Sequence, residues 1–114
     1  MMNTKRQIKG TEYNVAELVQ NAITSADSQA LNLEKARTGL AYIGNRNPTD
    51  EQIVRYARET AILNNLAQAT GAYGFENQIG KIDFSSTEKS ISDVNAYLSR
   101  RNQAHRARWT ANRR

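Results

Sequence analysis

Apolar residues recur at spacings of three and four residues along the first half of the chain. A heptad register that starts at Val19 places mostly apolar residues at its two seam positions: Val19, Ala26, Leu33 and Leu40 at one, Ala22, Gln29, Ala36 and Ile43 at the other. This spacing predicts one long amphipathic helix over residues 14–43. Asn14 is its expected N-cap, and Gly44 can end it in the left-handed conformation.

The seam of this predicted helix is rich in alanine, and small side chains let a second helix approach closely. Such a face suits packing within the chain or between chains. We therefore expect self-association through a seam of six residues: Val19, Ala22, Ala26, Leu33, Ala36 and Leu40.

A second helix is predicted over residues 50–70. Thr49 is a good N-cap, and Gln52 stands three residues later in the position of a capping box. Because a short turn around Pro48 separates the two helices, they should form a long antiparallel αα-hairpin.

The glycine-rich stretch that follows is predicted to be a loop over residues 71–84. Its aromatic residues Tyr73, Phe75 and Phe84 invite comparison with base-stacking platforms, but closing the core is the preferred interpretation. A third helix over residues 86–99 should start near Ser85 or Ser86, with Ser85 and Glu88 as a capping box.

Together these elements predict an all-α fold: a long antiparallel αα-hairpin plus a third C-terminal helix that extends into an arginine-rich tail. Residues 1–13 are polar and should be a flexible basic arm. Residues 14–99 should form a single helical domain, which is what a chain of 114 residues can hold. No glycine or proline separates Leu98 from the arginines, so residues 100–114 are predicted to continue the helix.

Charge is distributed unevenly along the chain. Residues 1–99 contain ten basic and eleven acidic residues, a net charge of −1, whereas residues 100–114 contain six arginines and no acid. The net charge of +5 is therefore a property of the tail. A concentrated positive segment of this kind is typical of contact with nucleic acid or with an acidic protein surface.

The residue types that are missing exclude several classes of function. The chain has no cysteine and one histidine, His105, so thiolate chemistry and a histidine metal site are poor candidates. No catalytic motif is recognisable, no apolar run approaches about eighteen residues, and residues 1–10 lack the apolar stretch of a signal peptide. We expect a non-enzymatic protein without cofactor, metal or membrane contact, cytoplasmic or packaged within a virus particle.

The tail supplies the candidate binding residues. In a helix its alanines fall on one side and its arginines on nearly every other, which would let guanidinium groups reach phosphate oxygens around a closely approaching helix. Trp109 could stack on an unpaired base or on the arginines themselves. The candidates for nucleic-acid binding are Arg100, Arg101, Arg106, Arg108, Trp109, Arg113 and Arg114.

Clustered arginines, interspersed alanines and one tryptophan make the tail similar to the arginine-rich RNA-binding peptides of lambdoid phage antitermination proteins. The similarity rests on Arg100, Arg101, Arg106, Arg108 and Trp109. Those peptides begin largely disordered proteins, whereas this segment follows a predicted helical body. The resemblance is therefore confined to the tail, and no family is identified from it.

Three functions remain open at this point. The first is a small nucleic-acid-binding protein whose helical body packs or oligomerises while the arginine arm grips phosphates. The second is a structural or assembly component of a phage particle or another large complex. The third is a small adaptor or inhibitor of a nucleic-acid-handling machine. The sequence does not distinguish DNA from RNA as the ligand, and it indicates no base specificity.

Overall fold

The structure, a computed structural model, describes the backbone of residues 5–111 and the side chains of residues 5–104. It contains two strands, four α-helices and one 3-10 turn. In chain order these are β1 (Lys5–Ile8), β2 (Thr11–Asn14), α1 (Val15–Ser28), α2 (Leu33–Tyr42), α3 (Asp50–Thr70), the 3-10 turn (Phe75–Gln78) and α4 (Thr87–Ala111).

The N-terminal segment forms an antiparallel β-hairpin from β1 and β2, so the prediction of an all-α fold is wrong. Lys5 pairs with Asn14 and Ile8 pairs with Thr11. Lys9 and Gly10 make the two-residue turn, both at positive φ (51° and 83°), as the turns that match the twist of a hairpin require. The prediction of a flexible arm over residues 1–13 is also wrong for the described part, residues 5–13.

The predicted first helix is interrupted after two of its heptads. α1 ends at Ser28, the backbone at Gln29 is extended, and α2 begins after Asn32. The Asn32 side chain accepts a hydrogen bond from the Lys35 amide at 2.9 Å, which caps the new helix. Because the helix breaks here, the long αα-hairpin predicted from an unbroken residue 14–43 helix is not formed.

α3 is the central element of the packing, since both α1 and α2 contact it. Ile62, Leu63 and Leu66 on α3 are completely or almost completely buried. The predicted capping box at its start is confirmed: Thr49 Oγ1 accepts from the Gln52 amide, and Gln52 Oε1 accepts from the Thr49 amide. The helix ends at Gly71, which is left-handed with φ 68°.

Most of the alanine-rich seam is covered by the chain's own helices. Val19, Ala22 and Ala26 belong to the main core, whereas Ala36 and Leu40 form a second, smaller cluster with residues of α3. Leu33 alone among the six is exposed, at 46%. Self-association through this seam stays a prediction, but five of its residues offer no exposed surface.

The glycine-rich loop and α4 complete the core. Phe75 and Phe84 are buried, as expected of rings that close the core, but Tyr73 is exposed. α4 begins after Ser86, whose hydroxyl accepts from the Lys89 amide at 3.1 Å, so Ser86 rather than Ser85 occupies the capping position. None of the helices in the described range combines the length and apolar character that a membrane crossing requires.

The loop offers a test of this packing. Phe75→Ala should lower the free energy of unfolding by about 3–5 kcal/mol, because it removes a fully buried ring and leaves a cavity. Tyr73→Ala, two residues away, should change it by less than about 0.5 kcal/mol because its ring is exposed. Urea denaturation followed by circular dichroism measures both, and equal midpoints for the two variants would contradict this placement of the loop.

Candidate nucleic-acid interface

The predicted arginines lie at the end of α4. The helix extends to Ala111, so Arg100, Arg101, Arg106, Arg108 and Trp109 all have helical backbone. Arg100 is exposed and Arg101 is half-buried. Arg108 lies two turns beyond Arg101, about 10 Å further along the helix axis.

The remaining site predictions fall beyond these residues. Side chains from His105 to Ala111 lie outside the described part of the chain, and so do Arg113 and Arg114 altogether. The role of these residues stays a prediction from the sequence.

The β-hairpin packs against this part of α4. Strand β1 contacts the helix, and the Asn102 side-chain amide donates a hydrogen bond to the Gln7 carbonyl at 3.1 Å. Ile8, the last residue of β1, is 1% exposed and belongs to the main core. Ile8 and the Asn102 hydrogen bond hold the hairpin beside the arginine-bearing helix, and Lys9 and Tyr13 also bond it to the carbonyls of Gly71 and Ala69.

A basic cleft of about 490 Å³ lies between the hairpin and α4. Four of its lining residues are cations and one is an acid. Its lining consists of Lys5, Arg6, Gln7, Lys9, Gly10, Glu12, Arg101 and Asn102. The sequence analysis assigned the hairpin cations to a flexible basic arm and left them out of the candidate site, and the signal for their placement was the short Lys9–Gly10 turn between two strand-length segments.

Arg6 lies in the lining of this cleft with part of its guanidinium group enclosed. Its Nη1 donates to the Lys5 carbonyl at 3.2 Å, whereas its Nε is buried and has no hydrogen-bond partner within the described structure. Because this Nε is enclosed by the protein, it is not open to a ligand, and the half-buried Arg6 contributes to the cleft through its positive charge.

Tyr97 lies one turn before Arg101 on α4, and its hydroxyl does not neutralise the positive charge of Arg101. Burial raises the pKa of the Tyr97 hydroxyl, an effect opposed by the positive charge of Arg101 and reinforced by Glu76. The phenol is therefore neutral at pH 7, and the charge of Arg101 is not neutralised by it.

Two basic residues of α3 are matched by carboxylates. Arg58 on α3 pairs with Asp27 at 2.8 Å, and Arg55 pairs with Glu51 at 3.5 Å. A groove of about 720 Å³ beside them is lined by Arg55, Arg58 and four acidic residues. Burial raises the pKa of Glu59 in this groove, and the two arginines oppose that shift. This groove is net acidic, in contrast to the cleft beside the hairpin.

Metal binding and a second groove are the alternatives to consider in the described part of the chain. Among residues 5–104, no group of three or more histidine, aspartate or glutamate side chains is placed to hold a metal ion. The groove between α2 and α3, about 490 Å³, is mainly apolar and has Lys35 as its charged lining residue. The basic cleft is therefore the best candidate site for binding.

The hairpin's attachment to α4 is testable by amide hydrogen exchange. Asn102→Ala removes the hydrogen bond to Gln7, a loss of about 0.5–1.5 kcal/mol, so the amides of residues 5–14 should exchange about two- to tenfold faster. Gln103→Ala is the matched control, because Gln103 is the next residue on the helix and is exposed. Equal exchange in the two variants would show that Asn102 does not hold the hairpin.

No family model matches this chain, and comparison with the curated proteins and with solved structures gives no match. What the site does has to be inferred from its own residues.

Proposed function

We propose that this protein is a small, non-enzymatic nucleic-acid-binding protein whose contact surface combines the basic cleft with the arginines of α4. The observation that carries the proposal is the convergence of cations from both ends of the chain. Lys5, Arg6 and Lys9 on the hairpin line the same cleft as Arg101 on α4.

The charge distribution supports this surface as the binding face. Residues 10–99 contain seven basic and eleven acidic residues, a net charge of −4. Residues 1–9 carry +3 and residues 100–114 carry +6. The hairpin packs the first basic segment beside the start of the second, and a polyanion is attracted to this end of the molecule and repelled by the rest.

Phosphate is the ligand group that this cleft suits best. Guanidinium groups bind phosphate through paired N–H donors, and both Arg6 and Arg101 line the cleft. The amide side chains of Gln7 and Asn102 lie in the same lining and are typical of phosphate and sugar contacts. Arg106 and Arg108 continue along the same helix, which extends the proposed contact over further phosphates.

On this proposal the protein works wherever nucleic acid is available to it, in the cytoplasm or packaged within a virus particle. An assembly role in a virus particle or another large complex is the second candidate. It is favoured by Tyr42 and Ile43, two neighbouring apolar residues that are 92% and 62% exposed at the α2–α3 groove. An acidic protein partner, including one that the chain would inhibit, would use the same basic surface.

The salt dependence of binding tests the proposal. The hairpin variant combines Lys5→Gln, Arg6→Gln and Lys9→Gln. If these cations contact phosphates, the slope of log K against log salt should become shallower by about two to three units relative to the unchanged protein. Fluorescence anisotropy with a labelled oligonucleotide at several salt concentrations measures the slope.

The control variant removes the same charge from another face, by Lys35→Gln, Arg37→Gln and Arg46→Gln on α2 and the loop after it. All three are exposed and lie outside the basic cleft. Its slope should change by less than about one unit. Equal slopes for both variants, or a wild-type protein that binds no nucleic acid and sediments as a salt-stable oligomer, would contradict the proposal, and the second result would favour assembly.

A further inference from the structure

Tyr73, among the residues whose side chains the structure describes, is an exposed aromatic residue close to Lys9 of the basic cleft. Its ring is 85% exposed although its neighbours in the loop, Ala72 and Phe75, are buried. The loop is therefore anchored on both sides of Tyr73 while the ring itself contributes little to the core. An exposed aromatic ring with no packing role is a candidate contact surface.

Lys9 connects this ring to the cleft. Its Nζ donates to the Gly71 carbonyl at 3.2 Å and lies 5.9 Å from the centroid of the Tyr73 ring. The same lysine is part of the cleft lining, between the hairpin and α4. A cation of the cleft lining therefore lies over one face of a ring that is otherwise largely exposed.

The loop backbone next to Tyr73 is fixed by contacts of its neighbouring residues. Gly74 adopts φ 111°, and its amide donates to the Glu76 carboxylate at 3.2 Å. The Tyr97 hydroxyl packs so closely against Gly74 that an added Cβ would lie 2.9 Å from it. The Phe75 and Tyr97 rings are 5.4 Å apart. Because the backbone that carries Tyr73 is anchored on both sides, binding does not have to order the loop.

We propose that the ligand of this site is single-stranded nucleic acid, with an unpaired base stacked on Tyr73 and the adjoining phosphates on Lys9 and the other cleft cations. This inference rests on the proposed function and specifies its ligand. A duplex keeps its base faces inside the stack, so only an unpaired strand offers a base to an exposed ring at the edge of a cationic cleft.

The test compares ligands that differ in the presence of bases, in the sugar or in strandedness. Three oligonucleotides of about twelve nucleotides, a length within the range of one small binding domain, are used: a DNA single strand, an RNA single strand and an abasic DNA strand. A DNA duplex of the same length is the fourth ligand. Affinities are measured by fluorescence anisotropy at one salt concentration.

Tyr73→Ala should weaken binding of at least one base-bearing single strand by between about fivefold and about 150-fold, the range for loss of one stacked base. Tyr73→Phe keeps the ring and should bind within about twofold of wild type. The abasic strand and the duplex should bind Tyr73→Ala and wild type equally. Which single strand loses more on Tyr73→Ala identifies DNA or RNA as the preferred source of the base.

The matched control is Tyr42→Ala, because Tyr42 is equally exposed but lies on the α2–α3 groove. It should leave every affinity unchanged. If wild type binds all four ligands and Tyr73→Ala binds each of them with the affinity of wild type, stacking on Tyr73 is excluded while phosphate binding by the cleft stands. If wild type binds none of the ligands, the proposed function itself fails.

Discussion

The attachment of the N-terminal hairpin to α4 is the contact on which the candidate site depends. Ile8 is buried in the main core at the end of β1, and Asn102 bonds the Gln7 carbonyl from the facing helix. Burying one isoleucine contributes roughly 1.5–3 kcal/mol, which is comparable to or larger than the single hydrogen bond. Without this attachment the hairpin cations and the α4 arginines would not share a surface.

Electrostatic repulsion between the two basic segments opposes this attachment. It brings a segment of net +3 beside one of net +6, so the positive charges repel each other across the cleft. The apolar core holds the two segments together nonetheless. Because a bound polyanion would remove the repulsion, binding and hairpin attachment should stabilise each other.

Strong local signals made part of this structure predictable. The capping box of Thr49 and Gln52 and the glycine after Thr70 mark both ends of α3 in the sequence. The break between α1 and α2 was missed because the apolar spacing continues through it, while the cap at Asn32 is a local signal that the spacing hides. The hairpin was missed because each strand has only four residues. Only β1 has a buried apolar side chain, Ile8.

The site was half predictable for the same reason. A run of arginines is visible in any charge count, whereas the contribution of Lys5, Arg6 and Lys9 depends on a tertiary contact with a residue more than ninety positions away. In the sequence, Tyr73 is an aromatic residue of the same glycine-rich loop as Phe75 and Phe84, and nothing distinguishes it from them. Only the fold separates the ring that stays exposed from the two that close the core.

An NMR titration of the ¹⁵N-labelled protein with a single-stranded oligonucleotide tests most directly whether the hairpin and α4 form one binding surface. The amides of residues 5–14 and 100–104 should shift together, with one common dependence on oligonucleotide concentration. Shifts confined to residues 100–114, with the hairpin amides unchanged at saturation, would contradict a shared site and leave the arginines as an independent tail.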